Sequence, residues 1–360
     1  MSRSLAHIEK IEWIQPIKGK DRIVLAGVLE WTVIVQKELY HEGDKVIFCE
    51  IDSVFPDKPE YEFLRKNNFR IKTMKMAGVV SQGICFPVSM LPPKEYKLGE
   101  DVTALMGITQ YEQTMDKEPD ISESKSARNY PKFLMKQKWF RKLVLPKKEY
   151  KGFPKFVSKT DETRIQNAPF YLDMDCKWIA TEKVDGQSGT FTLQRIKKKH
   201  FWNKEKFDFA VCSLNLRLWN EDNSSYWSVA KKYNIKKILH ELIGDNEWVA
   251  IQGECVAPNV QGNKYHVTEP DLYVFNIIYP NGRMNSLMAK ELAELHGLKF
   301  VPIINNEAYI KGMSVTELLD YATGKSQLYD TLREGIVFRS LDGKQSFKAV
   351  SPKFLLKYDE

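Results

Sequence analysis

The first 110 residues of the chain contain several short β-prone segments and no long amphipathic helix. Glycine, aspartate and proline separate the segments, which read RIVLAGVL, WTVIVQKEL, DKVIFCEI, FRIKTMKMAG and GICFPVSM. Many short strands joined by turns are typical of a small β-barrel, in which closure of the sheet leaves few free edges. The pattern therefore predicts an all-β unit over residues 1–110.

The pattern changes from about residue 169 onward. Strand-like runs alternate there with a few helices, and the runs read WIATEKV, GTFTLQRI, FAVCSLNLRL, EWVAIQGECVA, LYVFNIIY, EGIVFRS and SFKAVS. Helices are expected over residues 228–242 and 287–297. A third helix is expected to begin at Ser314, where Glu317 completes a capping box. We predict an α+β domain with large antiparallel sheets over residues 169–360.

Residues 111–168 lie between these two units and begin with the polar run EQTMDKEPDISESKSARN. A basic segment follows, because residues 132–159 hold ten Lys or Arg side chains against one acid, Glu149, with six aromatic residues interleaved. Such a segment can be a solvated connector. It can also be a surface that follows phosphates and offers rings for base stacking.

Composition limits the class of protein. The net charge of +7 and the pI near 8.9 favour a polyanionic partner. The five cysteines are scattered without a Cys-x-x-Cys pair, which argues against structural zinc and disulfides and favours a reducing compartment. The N-terminus lacks an apolar signal core, and no run approaches membrane-spanning length. We expect a soluble, cytoplasmic protein without membrane contact, and a monomer.

The tetrapeptide Lys183-Val184-Asp185-Gly186 ends an apolar, β-prone run and indicates covalent chemistry. Residues two apart face the same side of a strand, so Lys183 and Asp185 are predicted to point into one site. Gly186 has no Cβ, which would let a ligand approach the backbone closely. A lysine can attack phosphorus once it loses its proton, and neighbouring cations or partial burial can lower its pKa.

Further segments follow Lys183 in an informative order. Phosphoryl transfer at a lysine needs a base to stack, a ribose to hold, a divalent cation and a second positive charge. Strands that contain Glu254, Phe275, Glu334 and Lys348 offer an aromatic ring, two carboxylates and a lysine. Alone, Glu254 would be interpreted as an exposed acid and Phe275 as a core residue. The ordered set is more specific than its members.

This order resembles that of the covalent nucleotidyltransferases, the superfamily of polynucleotide ligases and mRNA capping enzymes. More closely, the chain resembles the RNA ligases of the Deinococcus and Naegleria type. The stretches KTDETRIQN (159–167), IQGECVAPNVQGNKY (251–265) and EGDKVIFCEIDSVFP with FRIKTMKMAGVVSQGICFP carry the match. The resemblance implies an N-terminal OB-like β-barrel that binds nucleic acid over residues 1–110, a linker region over 111–168 and a ligase-type adenylyltransferase domain over 169–360.

The resemblance also implies roles for individual residues. Lys183 would take AMP from ATP, and Lys348 would contact the α-phosphate. Glu254 and Glu334 would act through the ribose and a catalytic Mg²⁺ or Mn²⁺. The residues expected to contact the nucleotide are Glu182 facing the adenine, Phe275 and Val337 on either face of the base, Asp185 and Gly186 beside the ribose, Lys159 and Arg164 near the triphosphate, and Ser213, Asn215 and Arg217 after the lysine strand.

Two positions depart from the family pattern. Leu214 stands where the family usually has an arginine that contacts phosphate, and strand parity makes Arg217 no obvious replacement. Val350 stands at the second lysine of the last motif, for which Lys353 or Lys357 could substitute. These changes bear on the phosphate contacts and not on the nucleophile.

The favoured hypothesis is an ATP-dependent RNA ligase that seals 3′-OH RNA ends to 5′-phosphate ends at nicks, through lysyl-AMP and an adenylylated 5′-end. Its partner would be RNA or a nicked duplex that contains RNA. A capping guanylyltransferase or a DNA ligase would share the tetrapeptide. However, few residues follow Lys348 for the C-terminal OB domain of those enzymes, and Ser188 stands where DNA ligases have an arginine. A non-catalytic RNA-binding protein is disfavoured by the intact Lys183, Glu254 and Glu334.

Overall fold

The computed structural model describes residues 4–111, 152–197, 202, 204–219 and 224–358. The N-terminal part contains strands β1 (Ala6–Pro16), β2 (Ile23–Val28), β3 (Trp31–Gln36), β4 (Lys45–Cys49), β5 (Ser53–Val54), β6 (Met74–Met76), β7 (Val79–Ser81), β8 (Ile84–Pro87) and β9 (Thr109–Gln110). Five of them form an antiparallel sheet in the order β3-β2-β1-β4-β8, and β5 pairs with β9 and β6 with β7.

The N-terminal sheet curls so that its two ends approach each other. Strand β3 alternates between buried and partly exposed residues, with Trp31, Val33 and Val35 directed into the core. The backbone N–H of Gln82 donates to Thr32 on β3 at 2.8 Å, and the N–H of Ile34 donates to the Ser81 hydroxyl at 3.0 Å. These bonds satisfy part of the free edge of β3, as expected for a barrel-like fold.

The longest strand of this part, β1, was not predicted from the sequence. It lies at the centre of the sheet between β2 and β4. Its first half is buried on both faces, because the polar His7 and Glu9 are covered as well as the apolar Ile8. A register shift between Ile11 and Trp13 then breaks the alternation. Buried polar residues and a β-bulge together hide the period-2 pattern of a strand.

The C-terminal part contains two larger sheets. Its strands are β10 (Trp178–Lys183), β11 (Gln187–Ile196), β12 (Lys206–Cys212), β13 (Arg217–Leu218), β14 (Trp248–Val256), β15 (Asp271–Tyr279), β16 (Gly282–Arg283), β17 (Lys299–Phe300), β18 (Ile303–Ala308), β19 (Gly335–Ser340) and β20 (Ser346–Val350). One sheet has the order β18-β10-β19-β20. The other has the order β13-β12-β11-β14-β15-β16, with β17 parallel to β15.

The helices of this part are α1 (Ser225–Lys232), α2 (Ile235–Leu242), α3 (Ser286–Leu295), α4 (Val315–Ala322) and α5 (Pro352–Tyr358). The predicted helix over 228–242 is wrong in its continuity, because the chain breaks between α1 and α2. Asn234 adopts a left-handed conformation there, with φ of 49°. The predicted capping box before α4 is present: Ser314 Oγ accepts from the Glu317 N–H, and the Ser314 N–H donates to the Glu317 carboxylate.

None of these helices is long and apolar enough to cross a membrane, a finding that covers the described residues only.

The segment before β10 connects the two parts of the molecule. Asn167 accepts a hydrogen bond from the indole N–H of Trp31 at 2.6 Å and donates to the Glu50 carboxylate at 2.5 Å. Arg164 is buried and lies 3.3 Å from Asp52. Of the predicted basic segment, residues 132–151 lie outside the described residues. Residues 152–168, also assigned to the linker region, pack in part on the C-terminal core, where Ile165 is fully buried.

Candidate active site

Two adjoining cavities lie where the C-terminal sheets meet. The smaller, of about 220 Å³, lies between the sheet of β10, β19 and β20 and the sheet of β14 and β15. The larger, of about 310 Å³, opens beside it toward the N-terminal part. Both are bordered by Gly186, Ser188 and Leu214. The smaller cavity brings together seven predicted site residues, namely Glu182, Lys183, Gly186, Glu254, Phe275, Val337 and Lys348. The larger brings together Arg164, Asp185, Asn215 and Glu334.

Lys183 is the last residue of β10 and pairs with Gly335 on β19. Its Nζ donates to Glu334 Oε2 at 2.6 Å. Burial by itself lowers the pKa of Lys183, but the negative charges of Glu334, Glu254 and Asp185 together raise it above the ordinary value. The expectation that neighbouring cations or burial depress this pKa is therefore wrong for the protein without ligands. The net effect of these neighbours favours the ammonium form of Lys183.

The carboxylates around Lys183 repel one another in a buried setting. Burial raises the pKa of Glu254 to about 8, with repulsion from Glu334 and Asp185 adding to the effect and Lys183 opposing it. Burial and the charge of Glu334 raise the pKa of Asp185 to about 6, although Lys264 lowers it. A site of this kind stabilises added positive charge.

Phe275 enters the cavity through an irregularity in β15. Gln252 pairs with Asn276 and Gly253 with Val274, so Phe275 is the extra residue of a β-bulge. A bulge turns a side chain away from the regular alternation of the strand. The ring of Phe275 therefore borders the cavity together with Val337, as a pair that sandwiches a base would.

Lys348 lies on the same row across the sheet as Val337, its partner in the β19–β20 register. It is buried, and its Nζ donates to Asp161 Oδ1 at 2.7 Å. The backbone N–H of Lys348 donates to the Thr163 carbonyl at 2.8 Å, and Arg164 forms a parallel bridge with Lys348. The segment that touches the N-terminal part is thus attached to the strand that carries this lysine.

Two glycines of the motifs are required by packing. A Cβ on Gly186 would lie 2.6 Å from the Cys255 carbonyl oxygen, and a Cβ on Gly335 would lie 2.2 Å from that of Ala349. The expectation for Gly186 was close approach of a ligand. The glycine lets β14 approach the turn that follows Lys183 and also borders both cavities, so close approach of a ligand stays a prediction.

Three predicted residues lie differently from expectation. Glu182 borders the smaller cavity, but its carboxylate is directed to the opposite side of β10 from Lys183 and accepts from the Ser326 hydroxyl at 2.5 Å and the Gln327 N–H at 2.9 Å. Arg217 is buried in a two-pronged ion pair with Asp208, at 2.8 and 3.0 Å, and borders neither cavity. Ser213 is fully buried, and its hydroxyl accepts from the Leu216 N–H within a turn.

The remaining predicted residues lie near the rim of the site. Lys159 is exposed and donates to Asn215 Oδ1 at 2.5 Å. Leu214 borders both cavities, as expected for the position of the missing arginine. Val350 is buried opposite Gly335. Lys353 and Lys357, proposed as its substitutes, are exposed on α5 and border neither cavity.

Sequence reasoning missed several groups that complete the site. Lys264 Nζ donates to Asp185 at 2.6 Å, and the Tyr265 hydroxyl accepts from the Asp185 N–H at 2.8 Å. Both residues belong to the stretch 251–265 that carried the resemblance, which was the available signal. Arg339 is buried at the cavity, 5.5 Å from the Phe275 ring, and donates to the Thr181 hydroxyl at 3.0 Å.

The residues that could hold a divalent cation are Glu254 and Glu334. Across the part of the chain that the structure describes, no group of three His, Cys, Asp or Glu side chains forms a ready-made metal site. Mg²⁺ at nucleotide sites usually takes one or two carboxylates and completes its shell with phosphate oxygens and water. Burial and, to a smaller extent, repulsion from Glu334 and Asp185 raise the pKa of Glu254, and a cation relieves the repulsion. The donor set therefore fits a cation that enters with a phosphate ligand.

Comparison with known families agrees with this architecture. A family model described as an OB-fold domain matches residues 5–88, and one described as RNA ligase matches residues 176–358. The molecule is therefore an OB-fold unit followed by a ligase domain. The chain belongs to the RNA ligase family, which confirms the predicted fold class, family and enzyme class.

Solved structures of Naegleria gruberi RNA ligase are similar over nearly the whole chain. The structure with PPi has 28% sequence identity and a TM-score of 0.78, with 99% of each chain covered. A variant with ATP and Mn has 28% identity and a TM-score of 0.77, with 99% of this chain and 98% of that chain covered. A variant with AMP and Mn has 28% identity and a TM-score of 0.77, with 99% of each chain covered. A comparison with curated protein sequences gave no significant match.

Proposed function

We propose that this RNA ligase uses ATP and a divalent cation to join a 3′-OH RNA end to a 5′-phosphate end at nicks, through AMP bound covalently to Lys183. The observation that carries the proposal is the convergence of Lys183, Glu254, Phe275, Val337 and Lys348 from five strands on one cavity. ATP and Mn²⁺ or Mg²⁺, expected from the sequence, agree with the ATP, AMP and Mn in the solved neighbours.

In the first step, the Nζ of Lys183 forms a bond to the α-phosphorus of ATP while the bond from that phosphorus to the bridging oxygen breaks. Pyrophosphate leaves with the electrons of that bond. Lys183 must give up its protons, and Glu334 at 2.6 Å is placed to accept one. Lys348, held by Asp161, is placed to stabilise the charge that develops on the α-phosphate oxygens.

A divalent cation held by Glu254 and Glu334 would neutralise carboxylate and phosphate charge when bound. The carboxylate charge that keeps the pKa of Lys183 high would then be reduced, which favours the neutral amine. Phe275 and Val337 would hold the base so that the α-phosphate lies next to Lys183.

Two further transfers complete the reaction. A 5′-phosphate oxygen of RNA attacks the phosphorus of the lysyl-AMP, and the Lys183 amine leaves. The 3′-hydroxyl then attacks the 5′-phosphate, and AMP leaves as the phosphodiester forms. Because the second transfer starts from an end that already carries AMP, it needs no lysine nucleophile. Lys183→Ala should therefore still seal an RNA that already carries AMP at its 5′-phosphate.

The test uses labelled ATP or GTP, followed by denaturing electrophoresis and by sealing of nicked duplexes. We expect ATP to label the protein, GTP not to, and an RNA 3′-OH strand to be sealed faster than a DNA one. Labelling by GTP would support a capping enzyme instead. Equal sealing of an all-DNA nick would support a DNA ligase, and no labelling by either nucleotide would support a non-catalytic protein.

A further inference from the structure

A recess of about 590 Å³ adjoins the larger active-site cavity, on the side away from the smaller cavity. The smaller cavity, proposed above to hold the adenosine of ATP, is called the adenosine cavity below. The recess shares Gln261, Lys264 and Tyr358 with the larger active-site cavity, which also contains Asp185 and Glu334. Anything bound in this recess therefore lies next to the groups that surround Lys183. The mechanism described above leaves the recess without a role.

The recess carries an aromatic platform, formed by two rings stacked on each other so that only the outer faces of the pair are open to a ligand. The rings of His266 and Tyr329 stack with centroids 4.6 Å apart and planes inclined by 29°. Both residues are exposed, Tyr329 by 44%. Stacked rings that face solvent at the edge of a nucleic-acid site are a common base-binding device, because every base offers a π-face.

The loop that carries His266 is held in an unusual conformation. Gln261, Asn263 and His266 have positive φ angles of 49°, 47° and 50°. The Asn263 amide donates to the Val267 carbonyl and accepts from the Val267 N–H, both at 2.9 Å. Non-glycine residues keep such angles only where their surroundings fix them, which is frequent at binding sites. The platform is therefore preorganised.

The loop that carries Tyr329 is attached, before and after this residue, to the end of the β10–β19 pair where Lys183 lies. Ser326 and Gln327 hold the Glu182 carboxylate, next to the nucleophile. Farther on, Glu334 accepts the hydrogen bond of Lys183. The ring of Tyr329 thus has a fixed position relative to the reacting lysine, as a residue that positions a substrate end requires.

The chemistry of the recess fits a nucleotide of RNA. Its walls include the amide of Asn259 and the platform rings, which match the polar edge and flat face of a base. Asp330 at the rim is paired with Lys325 at 2.7 Å. The adenine of ATP already has a place beside Phe275, so a second base here must come from the polynucleotide whose end enters the site.

We propose that this recess binds one nucleobase of the RNA strand adjacent to the junction, stacked on His266 and Tyr329. The proposal rests on the RNA ligase reaction described above. It adds a binding subsite for the substrate strand that is separate from the ATP site.

The first test replaces the platform residue. In the full-length protein, Tyr329→Ala should raise the KM for a nicked RNA substrate about tenfold, the loss expected for one stacked base. Formation of lysyl-AMP from ATP should keep its rate, because the ring lies outside the adenosine cavity. Tyr329→Phe keeps the ring and should behave as wild type. The control is Tyr309→Ala, which removes a tyrosine that is 57% exposed elsewhere on the same domain.

The second test observes stacking directly and does not depend on turnover. RNA with 2-aminopurine at successive positions beside the nick should lose fluorescence at one position on binding, and Tyr329→Ala should restore it. An unchanged KM and unchanged quenching in Tyr329→Ala would overturn the subsite. Loss of lysyl-AMP formation in that variant would also overturn it, by assigning Tyr329 to the ATP site. Failure of the wild type to form lysyl-AMP would refute the proposed function, whereas the fluorescence result would still report on the platform.

Discussion

Lys183 is surrounded by negative charge, and this shapes the chemistry available to it. The ammonium group donates to Glu334, and Glu254 and Asp185 add to the field that raises its pKa. A protonated lysine is no nucleophile. In the proposed reaction, binding of a cation by the carboxylates would therefore favour the neutral amine of Lys183.

At the same scale, we predict that Glu254→Ala and Glu334→Ala each lower nick sealing by at least about tenfold, a loss of transition-state stabilisation. Glu307→Ala is the matched control, because Glu307 is an exposed acid on β18 that pairs with Lys177. The rates of sealing and of lysyl-AMP formation are measured under single-turnover conditions. If either site variant seals like the control, that glutamate does not belong to the site.

The sequence was informative at the level of single residues when a motif fixed the position. Lys183, Glu254 and Lys348 were predicted to meet, and the structure brings them to one cavity, while their roles stay predictions. The pairing of Lys264 with Asp185 was not predicted, because it spans 79 residues and depends on how one loop folds over the strand end. The direction of the shift in the pKa of Lys183 depends on such long-range contacts.

Among the elements, β15 shows how a local irregularity creates function. Its bulge falls at Phe275, the residue of β15 whose ring borders the cavity. The sequence YVFN predicted the strand and the aromatic residue but not the bulge, since an extra residue leaves no mark in a single sequence. The helix break at Asn234 and the strand β1 were also missed, because a left-handed residue and buried polar side chains leave no regular period in the sequence.

We predict that Phe275→Ala raises the KM for ATP about tenfold, because one stacked base loses its aromatic partner. The loss should appear in lysyl-AMP formation and be small in the sealing of RNA that already carries AMP at its 5′-end. Phe170→Ala provides the control, since it removes an exposed phenylalanine that borders neither active-site cavity. An unchanged KM for ATP would show that the Phe275 ring does not contact the base.

At the scale of the whole molecule, a polar network joins the N-terminal part to the segment that leads to β10. His7 bonds to Glu9 at 2.7 Å and to Glu50 at 3.3 Å, and Glu50 also accepts from Asn167. The contact from Asn167 to Trp31 spans 136 residues, so neither partner could be chosen from the sequence. The division into a β unit and an α+β unit was predictable from the sequence, whereas the hydrogen bonds that connect the two units were not.

This network predicts a pH dependence of stability. Burial by itself lowers the pKa of His7, but Glu50 and Glu9 raise it to about 9, from 6.5 in the unfolded chain. Asp101, which bridges to His7, adds a further negative charge. The stabilisation is complete below about pH 6.5 and is lost as the pH rises through about 9. It amounts to at most about 3 kcal/mol.

Thermal denaturation of His7→Gln and wild type between pH 6 and pH 10 measures this effect. The variant should unfold at a lower temperature than wild type near pH 6, and this difference in unfolding temperature should become small above pH 9. His41→Gln, which changes an exposed histidine, should follow the wild type throughout. A difference between His7→Gln and wild type that stays constant across the range would show that His7 carries no charge in the folded protein.

The most direct measurement of the central claim is mass spectrometry of the protein after incubation with ATP and Mn²⁺ or Mg²⁺. We expect one AMP, linked to Lys183 and released by acid, in the wild type and in Lys177→Ala, which removes an exposed lysine just before β10. Lys183→Ala should stay folded and carry no AMP. An adduct of equal yield in Lys183→Ala, or an AMP on another residue of the wild type, would contradict the account.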